Sequence, residues 1–213
     1  MTTAPHFDYL RDPAEIYRRS FAAIEAEADL SCVPDDLRPL ALRLIHACGD
    51  PAALDDLVWS DGAGSAGRAA LAAGAPVLVD AGMVAQGIVR DRLPAANPVL
   101  CTLGLGPVAG AAQRAGTTRS AAAVELWRPW LGGAVVAIGN APTALFRLLE
   151  GLYEGWPKPA LILGFPVGYI GAAEAKAALA ATADIPFVTL TGRRGGSALA
   201  AASVNALAAE AAS

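Results

Sequence analysis

The chain has 213 residues, of which 54% are hydrophobic and 17% are charged. This composition supplies enough apolar side chains for a packed core and excludes an intrinsically disordered chain. The formal net charge of −4 excludes a general nucleic-acid-binding protein, which needs a basic surface, so we expect no nucleic-acid partner.

Two helices are predicted before the first strand. Pro13 follows Asp12, a pair typical of a helix N-terminus, and the first helix is predicted over residues 13–29. The second is predicted over residues 34–48, where leucines recur at helical spacing and indicate a buried stripe. Gly49 follows it and is the residue type that commonly ends a helix.

Residues 57–211 are predicted to form an α/β core, because short apolar runs alternate there with alanine-rich segments. The runs do not alternate between polar and apolar side chains, which indicates strands buried on both faces of a parallel sheet. The five predicted strands are residues 76–81, 98–104, 134–139, 160–167 and 186–192. Helices are predicted at residues 64–74, 82–90, 107–131 with a break, 141–154, 170–182 and 196–211. The sequence therefore predicts one domain over residues 1–213, in which N-terminal helices (13–48) precede a doubly wound α/β core with a mainly parallel, five-stranded sheet.

Cysteine usage and apolar runs indicate the compartment. Cys32, Cys48 and Cys101 are odd in number and widely spaced, which favours a reducing environment without a disulfide framework or zinc knuckle. The N-terminus lacks the apolar run of a signal peptide. Prolines and glycines interrupt the charge-free stretch at residues 129–146, so it is not a membrane span. We therefore expect a cytoplasmic protein with no membrane partner.

The carboxyl ends of parallel strands are where open α/β sheets bind ligands. One candidate there is the glycine loop at residues 104–110, but its spacing is G-x-G-x-x-x-G and it contains Pro107, which favours a tight turn over a cofactor site. Asn140 follows another strand and can cap the next helix. The backbone amides beside it can also receive a carboxylate, and both interpretations stay open.

Arginines mark the same edge of the predicted sheet. Arg119 stands at a predicted helix start, where a cation opposes the helix dipole, and such local conflicts often mark function. Arg193 and Arg194 lie in a glycine-rich turn that lets backbone approach a ligand, with a solvated charge pair as the alternative. Together with Arg43 they suggest a site for an anionic ligand, either a carboxylate or a phosphate.

His46 is one of only two histidines in the chain. It lies three residues after Arg43, so the two share a helix face that is offset from the leucine stripe. In the last turn of its helix, the dipole favours a protonated imidazole. A general acid and a helix-capping surface histidine remain open as roles. His6 is far from His46 in sequence and no cysteine or carboxylate cluster has ligand spacing, so no metal site is expected.

Seven stretches of the chain, in one order between residues 13 and 207, resemble the successive blocks of the precorrin-8X methylmutase family. They are EIYRRSFAAIEAEADL, RLIHACGD, VLVDAGMVAQGI, GTTRSAAAVE, AIGNAPTALFRLLE, GFPVGYIGAAEAK and TLTGRRGGSALAAASVNAL. Any one block alone is a weak signal, whereas the ordered set is specific.

The resemblance implies a three-layer α/β/α flavodoxin-like fold, a homodimer, and an isomerase of cobalamin (corrin) biosynthesis. The family moves a methyl group from C-11 to C-12 of precorrin-8X and gives hydrogenobyrinic acid, without an external methyl donor, cofactor or metal. By motif, His46 falls on the residue that donates a proton to the macrocycle. The residues expected to bind substrate are Tyr17, Ser20, Arg43, Arg119, Asn140, Thr143, Arg193 and Arg194. The implied partners are precorrin-8X, hydrogenobyrinic acid and the next corrin-pathway enzyme, to which product would be handed over.

Three alternatives remain open from the sequence. Related enzymes of the anaerobic route perform the same shift on cobalt-precorrin-8, in which the cobalt would travel with the substrate. A non-catalytic corrinoid carrier would use the same arginines. A nucleotide- or flavin-binding oxidoreductase would suit the fold class, although the glycine spacing speaks against it.

Overall fold

The computed structural model describes residues 6–182 and 184–211. The helices are α1 (Pro13–Glu27), α2 (Arg38–Cys48), α3 (Ala63–Ala72), α4 (Gly82–Gly87), α5 (Gly106–Ala115), α6 (Arg119–Val124), α7 (Pro142–Tyr153), α8 (Ala172–Ala180) and α9 (Ser197–Ala211). The strands are β1 (Leu57–Trp59), β2 (Val77–Val79), β3 (Val99–Cys101), β4 (Val135–Ile138), β5 (Leu161–Gly164) and β6 (Phe187–Leu190). Short 3₁₀ helices cover Pro51–Leu54, Arg90–Arg92 and Glu125–Trp130.

The strands form one six-stranded sheet in the order β1-β6-β5-β4-β2-β3. Strands β2 to β6 pair in parallel, as the sequence predicts. The predicted number of five strands was wrong, because β1 adds an edge strand antiparallel to β6, with Leu57 opposite Leu190. A three-residue strand is too short to show a periodic pattern. Counted among themselves, the five parallel strands follow the order 2-1-3-4-5 of a doubly wound fold.

Helices cover both faces of the sheet, so the molecule has three layers. Val77 and Val79 of β2 belong to an apolar cluster with α2, α3, α4 and α9. Leu78, between them, belongs to the opposite cluster with α7 and α8. All three side chains are fully buried. This two-sided burial explains why the strands read as continuous apolar runs rather than alternating ones.

The two N-terminal helices pack against each other beside this core. Asp12 caps α1 by accepting the N–H groups of Ala14 (2.9 Å) and Glu15 (3.3 Å). Helix α2 begins later than predicted, at Arg38, because the residues before it form a turn. Its end is as predicted: Gly49 is left-handed (φ +67°), and its N–H donates to the carbonyl of Ile45 at 2.7 Å. His46 therefore lies in the last turn of α2.

The predicted broken helix over residues 107–131 is confirmed as α5, α6 and the 3₁₀ helix Glu125–Trp130. Among the helices of the described residues, none combines the length and the hydropathy needed to cross a membrane.

Candidate functional site

The topological switch point of the sheet lies between β2 and β4, because the chain leaves β2 toward β3 on one side and reaches β4 on the other. Asp80, directly after β2, is 3% exposed. Its carboxylate accepts the backbone N–H groups of Gly139 (2.9 Å), Asn140 (3.0 Å) and Ala141 (2.7 Å) at the start of α7. An internal carboxylate thus occupies the amides that the sequence left open to a ligand. The expectation that Asn140 caps the next helix was wrong, because Ala141 is the N-cap residue of α7, no side-chain capping bond is formed there, and the side chain of Asn140 is exposed.

Two opposing effects act on the Asp80 carboxyl. Burial raises its pKa above the ordinary value, and the three amide hydrogen bonds oppose that rise. The helix dipole of α7 also favours the ionised form. Asp80 therefore joins the two strands at the switch point and fixes the α7 terminus, which carries Asn140 and Thr143.

Arg119 lies at the same edge, at the start of α6. Thr118 caps that helix by accepting the N–H of Ala121 at 3.1 Å. The hydroxyl oxygens of Thr118 and Thr143 lie 2.7 Å apart and join the starts of α6 and α7. The guanidinium of Arg119 is exposed and donates to the carbonyl of Leu103 at 3.3 Å. The fold thus brings together the predicted site residues Arg119, Asn140 and Thr143.

His46 lies in a second cluster, where α1 meets α2. Its exposed imidazole stacks on the ring of Phe21, with centroids 5.1 Å apart, and lies 6.3 Å from the ring of Tyr17. The guanidinium of Arg43 lies 5.2 Å from the Tyr17 centroid and 5.4 Å from that of Phe21. Ser20 is half-buried on α1, the helix that carries Tyr17 and Phe21. These contacts hold the imidazole and a cation side by side on an aromatic surface.

Phe21 is the site residue that the sequence analysis missed. Only Tyr17 and Ser20 were expected as site residues of the first helix, although the spacing of four residues between Tyr17 and Phe21 places both on one helix face. The rings of Tyr17 and Phe21 lie 4.5 Å apart. This pair forms the surface against which Arg43 and His46 are held.

A groove with a volume of about 610 Å³ opens beside this cluster. Tyr17, Phe21 and Arg43 line its end nearest to His46, and Leu42 and Ala206 line its apolar side. The volume falls in the range typical of ligand sites. The groove therefore offers space for part of a large apolar ligand next to His46.

The glycine-rich turn after β6, residues 191–196, is called the arginine turn below. The guanidinium of Arg193 is exposed and lies 5.0 Å from the ring centroid of Tyr169. Arg194 pairs with Asp50 (3.1 Å) and Asp56 (3.7 Å). Arg194 is thus a half-buried, ion-paired side chain, whereas Arg193 is exposed. Because Asp50 follows the end of α2, these ion pairs place the arginine turn beside the segment that carries His46.

Gly195 fits the arginine turn because it has no side chain. A Cβ atom there would lie 2.6 Å from the carbonyl oxygen of Pro166, which is backbone and cannot move aside cheaply. We expect Gly195→Ala to displace the arginine turn and to lower the free energy of unfolding by roughly 1–3 kcal/mol, because a side chain forced against fixed backbone strains the fold. Chemical denaturation measures this, with Gly132→Ala at the opposite edge as control. Equal stabilities of the two variants would contradict it.

The remaining candidate sites contribute less. The glycine loop forms a turn in which the N–H of Leu105 donates to the carbonyl of Thr102 (3.1 Å), and Pro107 lies in the first turn of α5. The tight-turn interpretation is thus confirmed. Within residues 6–182 and 184–211, no group of three or more histidine, cysteine, aspartate or glutamate side chains is placed to hold a metal ion.

Comparison with known proteins gives one consistent result. The family model described as precorrin-8X methylmutase matches residues 15–210. A precorrin-8X methylmutase from Pseudomonas aeruginosa is 63% identical over 95% of this chain and 98% of its own length. A cobalt-precorrin-8 methylmutase from Priestia megaterium is 34% identical over 92% of this chain and 87% of its own. The crystal structure of a precorrin-8X methylmutase from Thermus thermophilus superposes with a TM-score of 0.86 at 39% identity, covering 93% of this chain and 96% of that one.

Proposed function

The chain belongs to the precorrin-8X methylmutase family, whose members are isomerases of cobalamin biosynthesis, and from that premise we propose that His46 donates the proton for a methyl shift. In this shift a methyl group moves from C-11 to C-12 of precorrin-8X, and the product is hydrogenobyrinic acid. The observation that carries this proposal is the position of His46. Its imidazole is exposed in the last turn of α2, stacked on Phe21 beside Arg43. The strand order also supports the flavodoxin-like class within the doubly wound folds.

The chemistry asks the protein for a proton and a fixed geometry. The methyl group leaves C-11 and bonds to C-12 within one molecule, so no external donor is needed. A proton from His46 to the macrocycle lowers the energy of the transition state for this migration, and the macrocycle returns one proton to His46 after the migration, so that the product is an isomer of the substrate. Phe21 fixes the plane of the imidazole, and the groove holds the macrocycle in the reacting conformation. Arg43, beside His46, binds an acidic arm of the substrate and so places the macrocycle next to the imidazole.

The other predicted residues bind the acetate and propionate arms and the polar edge of the substrate. Arg119 and Arg193 are exposed at the carboxyl edge of the sheet and can each form paired hydrogen bonds with a carboxylate. Arg194 contributes mainly by its ion pair with Asp50, which connects the arginine turn to the end of α2. Its Nη1 atom is buried without an acceptor within the described residues. Tyr17, Ser20, Asn140 and Thr143 supply hydroxyl and amide groups for hydrogen bonds to the substrate.

Arg119 gives a test of substrate binding that is separate from catalysis. We expect Arg119→Met to weaken binding of hydrogenobyrinic acid by roughly ten- to a hundredfold, because a charge-assisted hydrogen bond to a carboxylate is lost. Arg114→Met is the matched control, since Arg114 is an exposed arginine in the last turn of α5. Titration of each protein by absorption spectroscopy measures the dissociation constants. If both variants bound as wild type does, Arg119 would not contact the substrate.

The substrate proposed is the cobalt-free one. The precorrin-8X relative shares 63% of its residues with this chain, whereas the cobalt-precorrin-8 relative shares 34%. Incubation of the purified protein with precorrin-8X distinguishes an enzyme from a carrier, because turnover changes the absorption spectrum to that of hydrogenobyrinic acid. A bound but unchanged spectrum would favour the carrier, and turnover of cobalt-precorrin-8 alone would favour the anaerobic route.

Assembly and location are further parts of this proposal. Large apolar side chains are exposed at the N-terminal segment and at the carboxyl edge of the sheet, among them Phe7 (69%), Tyr169 (81%) and Ile170 (89%). Burial of such surface in a homodimer is consistent with their exposure in one copy. Cys32, Cys48 and Cys101 are free, which supports a cytoplasmic location. Hand-over of the product to the next pathway enzyme would use the part of this edge that the homodimer leaves open.

A further inference from the structure

Lys176 of α8 is a buried lysine with no part in the proposed chemistry. Only 1% of its surface is exposed, and its ammonium donates a hydrogen bond to the backbone carbonyl of Arg194 in the arginine turn. Enclosing an ammonium is costly unless partners compensate for the lost water. The sequence has only one other lysine, Lys158, which is exposed at the amino edge of the sheet. The burial of Lys176 therefore needs a structural or functional reason.

The arginine turn is held from several sides, and Lys176 supplies the contact from α8. The N–H of Thr191 donates to the carbonyl of Asp56 (2.7 Å), and its hydroxyl donates to the carboxylate of the same residue (2.9 Å). The N–H of Gly196 donates to the carbonyl of Phe165 at 2.8 Å. The guanidinium of Arg194 pairs with Asp50 beyond the end of α2. Lys176 thus binds the backbone carbonyl of Arg194, the residue whose guanidinium pairs with Asp50.

Burial and the charges around Lys176 determine its protonation state. Burial lowers its pKa from 10.5 to about 8, and the negative charge of Asp56 opposes that change. Arg194 forms ion pairs with Asp50 and Asp56 beside the turn, and Arg193 is exposed within it. On the packed helix α7, Arg147 is bound to Glu154 and to Glu125 instead. Lys176 is therefore protonated at neutral pH and loses its proton at mildly alkaline pH.

We propose that Lys176 is a positioning residue of the site: its ammonium holds the arginine turn and so keeps Arg193 and Arg194 aligned with the end of α2 that carries His46. The inference rests on the proposed function, since it assigns Arg193 to a carboxylate of the substrate. Lys176 itself does not contact the substrate. Its effect appears in substrate binding, because Arg193 binds an acidic arm only when the turn is in place.

Affinity and stability respond to pH in opposite directions through Lys176. As the pH rises through about 8, Lys176 loses its proton and its hold on the turn weakens, so KM for precorrin-8X should rise. The pKa of Lys176 is lower in the folded than in the unfolded protein, so between these two values the unfolded chain binds more protons. The contribution of Lys176 to the free energy of unfolding therefore increases with pH over that interval. If Lys176 had only a structural role, the loss of its proton would not weaken substrate binding while it increases the free energy of unfolding.

Three variants test whether the charge of Lys176 controls substrate binding. Lys176→Met removes the charge and the donor, and KM should rise about tenfold at pH 7, with kcat changed less, and show no further rise up to pH 9. Lys176→Arg keeps the charge at every pH, and a cavity of about 80 Å³ beside Lys176 gives the larger side chain room. This variant should keep a low KM from pH 7 to pH 9. Lys158→Met is the control and should follow wild type.

A second measurement needs no substrate. The imidazole signals of His6 and His46 are the only histidine signals of the protein in ¹H–¹³C NMR spectra. We expect the His46 signal to move in Lys176→Met and not in Lys158→Met. If wild type neither converts nor binds a corrinoid, the proposed function fails, and this measurement still decides the role of Lys176. An unmoved His46 signal in Lys176→Met, or an alkaline rise in KM that persists in Lys176→Arg, would overturn the proposal.

Discussion

Replacement of His46 with alanine should lower turnover of precorrin-8X by about a hundredfold to ten-thousandfold, the usual contribution of a general acid. The imidazole is exposed, so its loss leaves no buried cavity and the fold should remain intact. Arg43 keeps its contacts with Tyr17 and Phe21. Affinity for hydrogenobyrinic acid should therefore change far less than kcat. Steady-state kinetics and a spectroscopic titration of the same protein samples measure the two effects.

The other histidine supplies the control. His6 is exposed before α1, and its ring contacts the carbonyl of the neighbouring Phe7. His6→Ala should retain the turnover of wild type. If His46→Ala turned over substrate at a rate near that of wild type, the proton would have to come from another group. If it lost affinity and turnover equally, His46 would serve in binding rather than in proton transfer.

Replacement of Asp80 with alanine should have the largest effect on stability among the site variants. Three backbone N–H groups at the switch point, those of Gly139, Asn140 and Ala141, would lose their acceptor. At about 1 kcal/mol for each hydrogen bond, the free energy of unfolding should fall by about 3 kcal/mol. For a chain of this size the melting temperature should then fall by roughly 6–12 °C. Thermal unfolding followed by circular dichroism measures the change.

Two further variants make the Asp80 prediction specific. Asp80→Asn keeps one acceptor oxygen and the shape of the side chain, so its melting temperature should lie between those of wild type and Asp80→Ala. Asp61→Ala removes an exposed carboxylate and should unfold near the wild-type temperature. If Asp80→Ala were as stable as Asp61→Ala, the carboxylate would not be what joins the two strands at the switch point.

The parts of the fold that could be predicted from sequence are those that leave a periodic or terminal signal. The parallel strands appear as apolar runs because both faces are buried, as at Leu78 between Val77 and Val79. The end of α2 was predictable because only a left-handed residue such as Gly49 closes the helix in this way. Strand β1 was not, because its three residues pair with β6, which is distant in the sequence.

The candidate site was predictable by residue type but not by arrangement. His46 is a rare side chain, and the arginines stand at a helix start or in a glycine-rich turn, so the sequence identified them. Their partners come from elsewhere in the chain: Arg194 pairs with Asp50 and Asp56, and Asp80 takes the amides beside Asn140. Such contacts depend on sheet order and loop packing, which no local pattern encodes. Sequence could therefore name the charged groups but could not tell those that face the ligand from those that hold the loops.

The most direct test of the central claim is ¹³C NMR of the product formed from precorrin-8X that carries ¹³C in its C-11 methyl group. The account predicts that wild type gives hydrogenobyrinic acid of unchanged mass with the label on C-12. It also predicts that His46→Ala, incubated for the same time, leaves the label on C-11. A wild-type protein that binds the labelled substrate but leaves its methyl group on C-11, or a His46→Ala variant that moves it as fast as wild type, would contradict the account.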